Sequence, residues 1–289
     1  MNKSRIEISR QDVLLTLLKL PLRKYMHKLS NRYIESNFPQ LAIYSYDYIG
    51  ITIAIDGVYE IRELDLIKSF LEEYHPNALE GVCLDIGANI GNHSVYFSKL
   101  FNKVRSFEPN PYPFKLLRIN TENYKNIHIS NFGLSDQRCS ATFFTSKSNI
   151  GGSSLHNESG DEIQVQLEIL DELNFNKENI SFIKIDVEGN ELQVLKGGEG
   201  IFKKHSPIVA FEQHSHEFLQ GESLVIKKLR SFGYTSFYCT EASPTYIRAW
   251  MPFKNIIRLI HQLIFGGQKL LIKYDRFKPN FYPLIIAVK

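Results

Sequence analysis

Five acids and one histidine stand where this chain could do chemistry. Asp85 ends the short apolar run Val82-Cys83-Leu84, and Glu108 ends the next one, Val104-Arg105-Ser106-Phe107, 23 positions later. Between them lies the turn Gly87-Ala88-Asn89-Ile90-Gly91, followed by a helix start with Asn92 or Ser94 as cap. A glycine turn from strand to helix lets a ligand approach the backbone, and the helix N-terminus offers free N–H groups. Further on, Lys184, Asp186 and Glu188 fall on one side of the strand Phe182–Val187 by period-two alternation, and Glu212-Gln213-His214 closes the strand that begins at Pro207. Together, Asp186, Glu188, Glu212 and His214 offer groups that could take a proton from a hydroxyl. His214 has the ordinary pKa closest to neutrality, whereas a carboxylate would need burial or a like charge to reach it.

Two ligand classes use such a turn. A dinucleotide fingerprint needs Gly-x-Gly-x-x-Gly, and from Gly87 this sequence has Asn89 and Asn92 in place of the second and third glycines. An acid before the first glycine suits a cationic ligand better than a pyrophosphate. The second acid, Glu108, stands where it can take both hydroxyls of a ribose. The ligand that fits carries a ribose, an amino-acid zwitterion and no phosphate, which is S-adenosylmethionine. A nicotinamide oxidoreductase is disfavoured by the missing glycines.

The ordered segments DIGANIG from Asp85, FEPNP (Phe107–Pro111), GLSD (Gly133–Asp136) and IKIDVEGNELQVLKG (Ile183–Gly197) resemble the motifs of the FkbM-type methyltransferases. The resemblance covers roughly residues 50–240 and the final strand. It implies S-adenosylmethionine as cofactor and O-methylation as the reaction. The acceptor it implies is a hydroxyl of a sugar in a glycan or glycolipid, or of a polyketide or similar natural product. It implies that Glu60, at the head of a helix over residues 59–74, lies over the cofactor; the alternative is a first-turn acid facing the helix dipole. It also puts Asn131 where methyltransferases contact adenine; the alternative is a turn residue. The cofactor set is then Glu60, Asp85, Gly87, Asn89, Gly91, Ser94, Glu108, Asn131 and Asp186. Asp186 and His214 are expected to touch the reacting groups, with Glu188 and Glu212 orienting them. Clustered carboxylates could also hold Mg²⁺ or Ca²⁺, and no ligand spacing decides for or against it. The competing class is a non-catalytic, membrane-docking protein that keeps the fold; the intact acids and strand-four motif argue against it.

Strands alternate with helices along the chain, which predicts an α/β, doubly wound sheet with ligands at the carboxyl ends of its strands. The resemblance makes this a Rossmann-like class I methyltransferase with seven mostly parallel strands in the order 3-2-1-4-5-7-6, the last strand antiparallel. Tyr44–Ile55 alternates and reads as a strand or hairpin. Thr142–Thr145 and Ile163–Leu167 read as a hairpin, and Asn149–Ser154 as a flexible loop that could close over a substrate.

At 289 residues the chain reads as one large domain, residues 46–289, behind an N-terminal extension, 1–45. Hydrophobic residues make up 43% and charged ones 22%, ordinary for a soluble protein, and a net charge of +3 is too small to argue for nucleic acid. Three scattered cysteines give neither a disulfide framework nor a zinc spacing, so a reducing cytoplasm is expected. Lys19 interrupts the apolar stretch Val13–Leu22 and no small-residue cleavage site follows, so neither a secretory signal nor a membrane span is expected. Residues 1–35 hold eight Lys or Arg against three acids, with Val13, Leu14, Leu17, Leu18 and Leu20 at helical spacing and Pro21 breaking or kinking the helix. They read as a helical cap on the domain or as a helix on a membrane surface. Residues 243–278 read as an amphipathic helical insertion. It carries Trp250, Ile256, Ile260, Leu263 and Ile264 among basic residues, and packs on the sheet, forms a homodimer, or docks on the inner face of an anionic membrane.

Overall fold

The computed structural model describes residues 13–146, 149–154, 161–175, 178–242 and 269–289. Three helices lead: α1 (Val13–Glu35), α2 (Tyr48–Asp56) and α3 (Ile61–Tyr74). There follow β1 (Val82–Ile86), α4 (Asn92–Ser98), β2 (Lys103–Phe107), α5 (Pro111–Thr121), β3 (Ile127–Ser130) and β4 (Gly133–Ser135). Next come β5 (Cys139–Ser146), β6 (Asn149–Ser154), β7 (Asp161–Ile169), β8 (Ile180–Ile185), α6 (Glu191–Gly197), α7 (Glu199–His205) and β9 (Ile208–Gln213). A short ribbon, β10 (Phe218–Leu219) with β11 (Glu222–Ser223), precedes α8 (Leu224–Ser231), β12 (Ser236–Ala242), β13 (Lys269–Lys273) and β14 (Tyr282–Val288).

The main sheet has eight strands in the order β3-β2-β1-β8-β9-β14-β12-β13. Strands β3 to β9 pair in parallel, while β14 is antiparallel to both β9 and β12. This is the expected 3-2-1-4-5-7-6 order with one more strand at its edge. A second sheet, β4-β7-β5-β6, stands beside it.

Alternation along the strands sorts side chains between two apolar cores. Leu84, Ile86, Ile183, Ile185, Val209 and Phe211 meet Val194, Leu195, Phe202 and Leu229 of α6, α7 and α8 on one face. Cys83, Val104, Phe182, Ala210 and Ile286 meet Leu64, Ile67, Phe70 and Leu71 of α3 and Phe97 of α4 on the other. Phe182 lies against Phe97 and Phe101, with ring centroids 5.4 Å apart in each pair. By the same period of two, Asp85, Lys184, Asp186 and Glu212 lie on the α3/α4 side, beyond the last apolar residue that each strand turns to that face. A one-residue slip of β8 would carry Lys184 into the opposite apolar core, so burial pins the register that aims these charges.

Four expectations change. Tyr48–Asp56 is a helix, not a strand. Asp47 caps it by accepting from Ile49 N–H at 3.1 Å, Gly57 closes it at φ 84°, and Ile53 is buried, so capping and packing outweigh the β-branched composition. Residues 149–154, expected as a loop, form β6, whose backbone pairs with β5 (Phe144 opposite Ser154). Helix α1 runs through Pro21, so of the two expected effects, breaking or kinking, the break does not occur. Within the stretch expected to be helical, residues 269–273 form a strand that pairs with the outer edge of β12, Tyr238 opposite Lys273. Residues 243–268, the rest of the stretch expected to be helical before that strand, lie outside the described residues. No helix among the described residues is long and apolar enough to cross a membrane.

Candidate active site

The β1–α4 turn is built on backbone contacts that exclude almost any side chain. Gly87 has φ 86°, and a Cβ there would sit 1.7 Å from the carbonyl oxygen of Asp186; Gly91 has φ 91° and faces Leu117. Gly87 and Ala88 N–H both donate to Phe107 O at 3.0 Å, and Gly91 N–H donates to Ala88 O at 2.8 Å. Asn89, itself at φ 51°, donates its N–H to Glu108 Oε2 at 2.9 Å. The N–H groups of residues 87, 88, 89 and 91 are thus spent inside the protein, so these four are not free to cradle a pyrophosphate.

Glu108 is held rigidly. Its other oxygen accepts from Asn110 N–H at 2.7 Å, and each oxygen keeps a lone pair for a further donor. Burial pushes its carboxyl up to about 7, against the pull of those two backbone N–H groups. Asp85 is fully buried; Ser94 Oγ donates to its Oδ2 at 2.6 Å and lies 2.8 Å from Ser106 Oγ. Oδ1 of Asp85 is buried with no hydrogen-bond partner. Asp85 and Ser94 therefore tie the start of α4 to β1 and β2, with one carboxylate oxygen left over. Asn131 spends its amide on Glu108 O and Pro109 O, at 2.8 and 3.2 Å, and braces the loop after β2.

On β8, where Lys184 is the strand partner of Asp85, Lys184 Nζ bonds Asp186 Oδ2 at 2.8 Å. Burial would lower the Lys184 pKa and raise that of Asp186, but the pair prevails: Asp186, with Asp85 and Glu60, raises Lys184, and Lys184 lowers Asp186. Glu60 heads α3 in the left-handed region (φ 55°) and makes no side-chain cap hydrogen bond. Its carboxylate turns to His93, Oε2 to Nε2 3.3 Å, an ion-pair distance without hydrogen-bond alignment. Burial raises Glu60, yet His93 and Lys184 outweigh it and hold the group ionised. Glu212 is pushed up to about 9 by burial, then by Asp186 and Glu60. Glu188, at φ 52°, is solvent-exposed by area yet crowded by neighbouring atoms. That partial desolvation, with Asp186 and Glu191 beside it, pushes its carboxyl up to about 7. His214 lies 3.9 Å from Glu212 Oε2 and packs on Phe281 with ring centroids 5.1 Å apart.

Glu60, His93, Lys184 and Glu212 line one pocket, floored by Phe97 and Ala210. The sequence reading gave no role to His93, Lys184 or Tyr59. Tyr59 is half-buried and stacks on His93 at 6.3 Å. Burial, then Glu60 and Glu212, raise its hydroxyl pKa. Only Lys184 left a trace in the sequence, as a charge inside a strand buried on both faces. Among the described residues, no group of three or more His, Cys, Asp or Glu side chains is set to hold a metal ion.

The residues at the turn fit S-adenosylmethionine. An orphaned carboxylate oxygen on Asp85 and a rigid Glu108 with lone pairs free for two ribose hydroxyls are what a cationic, phosphate-free nucleoside requires.

The hexuronic acid methyltransferase AglP of Haloferax volcanii is 33% identical over 158 residues, 50% of this chain and 61% of that protein. A methyltransferase FkbM from Methylobacillus flagellatus is similar in structure with 14% identity and a TM-score of 0.41, over 89% of this chain and 59% of that one. Fibrillarin from Aeropyrum pernix, solved with S-adenosylmethionine, gives 11% identity and a TM-score of 0.40, over 73% and 68%. The methyltransferase FkbM domain matches residues 85–252, from the acid near the end of β1 to beyond β12, so more than half of the sequence carries that family's pattern and the chain belongs to the FkbM methyltransferase family.

Proposed function

We propose that this protein is an S-adenosylmethionine-dependent O-methyltransferase acting on a sugar hydroxyl of a glycan or glycolipid. The observation that carries the reading is the pair of rigidly held acids, Asp85 and Glu108, around a phosphate-free glycine turn, opposite a cluster of proton-accepting groups. The sugar rests on the relative named for hexuronic acid methylation. When bound, the cofactor supplies an electrophilic methyl group together with its own leaving group. Glu108 takes the ribose hydroxyls, and Asp85 fixes the turn on which the cofactor lies. What remains is to orient the acceptor and remove its proton, which contributes about 10²–10⁴-fold.

Charge separates the four candidates for that task. Asp186, held ionised by Lys184, is a weak proton acceptor and serves to orient. Glu212, protonated at neutral pH, can donate a hydrogen bond to the acceptor oxygen. Glu188 and His214 are left to take the proton. Transfer of labelled methyl groups from S-adenosylmethionine to neutral glycans, uronic-acid glycans and polyketide alcohols tests the reading. Methylation of a sugar hydroxyl is expected, slowed about 10²-fold or more in His214→Ala or Glu188→Gln. Transfer only to a polyketide would overturn the sugar assignment. Wild-type turnover in both single variants and in the double variant would overturn the base assignment.

A further inference from the structure

The part of the chain before the cleft exposes what a soluble helix ordinarily hides. Helix α2 (YIGITIAID) is apolar around most of its circumference, Thr52 and Asp56 being its polar residues besides Tyr48, a pattern close to that of buried helices. One face is buried through Gly50 and Ile53. The opposite face presents Tyr48, Ile51 and Ile55 at i, i+3 and i+7, exposed by 67%, 45% and 44%. Tyr46, just before the helix, is 92% exposed. Helix α1 lies against α2 through Tyr33, whose hydroxyl donates to Ile55 O and whose ring meets Phe38 at 5.2 Å. Only Met26, Leu29 and Tyr33, again at i, i+3 and i+7, are half-buried along the C-terminal part of α1, while Leu17, Leu20, Leu22 and Tyr25 are exposed.

The charge on this surface is one-sided. Helix α1 carries Lys19, Arg23, Lys24, Lys28 and Arg32, all exposed, against Glu35 alone. That excess is larger than the net charge of +3 on the whole chain, so the remainder of the protein is slightly acidic. Asp56, at the end of α2, is the other exposed acid of the two helices. Exposed Leu, Ile and Tyr beside clustered Lys and Arg match a bilayer with anionic headgroups: the rings and aliphatic chains enter the headgroup boundary and the cations meet the phosphates. The surface also adjoins the cleft. Tyr48 touches Tyr59 edge-on at 6.3 Å, and Tyr59 is followed by Glu60, which lines the pocket.

We infer that α1 and α2 form a docking surface for an anionic lipid bilayer and hold the mouth of the cleft against it. Docking does not depend on which acceptor is methylated, so vesicle binding and methyl transfer can fail separately. The full chain should sediment with phosphatidylglycerol vesicles at low salt. It should bind phosphatidylcholine vesicles far less, and it should be released from the anionic vesicles as salt rises. Ile51→Glu/Ile55→Glu should abolish sedimentation, and Lys24→Glu/Lys28→Glu should weaken it at least 20-fold, at about fivefold or more per cation. Both variants should keep the wild-type affinity for S-adenosylmethionine, which confirms that they fold. Three results would overturn the inference. One is no binding to anionic vesicles at low salt. Another is binding that both double variants retain, which would place the contact elsewhere in the chain. The third is a dimer by light scattering that Ile51→Glu/Ile55→Glu dissolves, which would assign the face to a second copy of this chain.

Discussion

Asp186 and Glu212 end neighbouring strands, both on the α3/α4 side, yet they carry opposite protonation at neutral pH. The difference is Lys184, which bonds Asp186 directly and reaches Glu212 only weakly, so the proton that Asp186 sheds is kept by Glu212. With Glu188 near 7 and Glu212 near 9, turnover should rise with pH through about 7 and fall again toward about 9. A pH profile of kcat should show this bell, with the acid limb lost in Glu188→Gln and the alkaline limb lost in Glu212→Gln. Glu108→Gln should weaken cofactor binding by about 1.5–3 kcal/mol by calorimetry, since its amide would set a donor against Asn89 or Asn110 N–H. The acids themselves were legible because each ends an apolar run. Their charges were not: Lys184 stands near Asp186 in the sequence, but how it and His93 of α4 act on Asp186, Glu60 and Glu212 depends on the packing of β8, β9, α3 and α4. Asn131 shows the same limit: its place after β3 is readable, but its amide serves the loop backbone.

At the scale of elements, the β1–α4 turn and the end of β8 form one contact. Gly87 needs a positive φ and lies against the carbonyl of Asp186, and Asp186 N–H donates to Ile86 O at 2.9 Å. Gly87→Ala should therefore damage both walls of the cleft. A loss of about 1–3 kcal/mol from backbone strain, with more from the overlap, should appear as a lower urea midpoint and as lost S-adenosylmethionine binding. Strands of the parallel sheet were readable as short apolar runs because both faces are covered. Helix α2 was not, because its identity rests on the Asp47 cap and the burial of Ile53 rather than on composition. Strands β6 and β13 were missed for a related reason: both sit at sheet edges, where backbone pairing suffices and side chains leave little pattern.

For the whole molecule, several acids with raised pKa values set the pH dependence of stability, the solvent-exposed Glu188 least among them. Glu108 and Glu188 lie near 7, Glu191 near 8 and Glu212 near 9, all above the ordinary value of 4.5. The folded state then binds more protons than the unfolded one between about 4.5 and 9, so stability is highest at the acid end of that window and falls as pH rises. Below it, Asp186 and Glu60, both lowered, reverse the trend as they take up protons. Melting temperature should peak near pH 5 and fall toward pH 9, and Glu212→Gln should flatten the segment between about 7 and 9. A different consequence follows from β14, which lies between β9 and β12 although it is the last strand in the sequence. On a ribosome, β1, β2, β3, β8 and β9 can assemble in the order in which they are made, but β12 and β13 must wait, paired only with each other, until β14 has emerged. Until then β9 presents a bare, apolar edge to the cell, so the half of the sheet beside the acceptor cleft is the last to close and the part most exposed to mispairing with another chain.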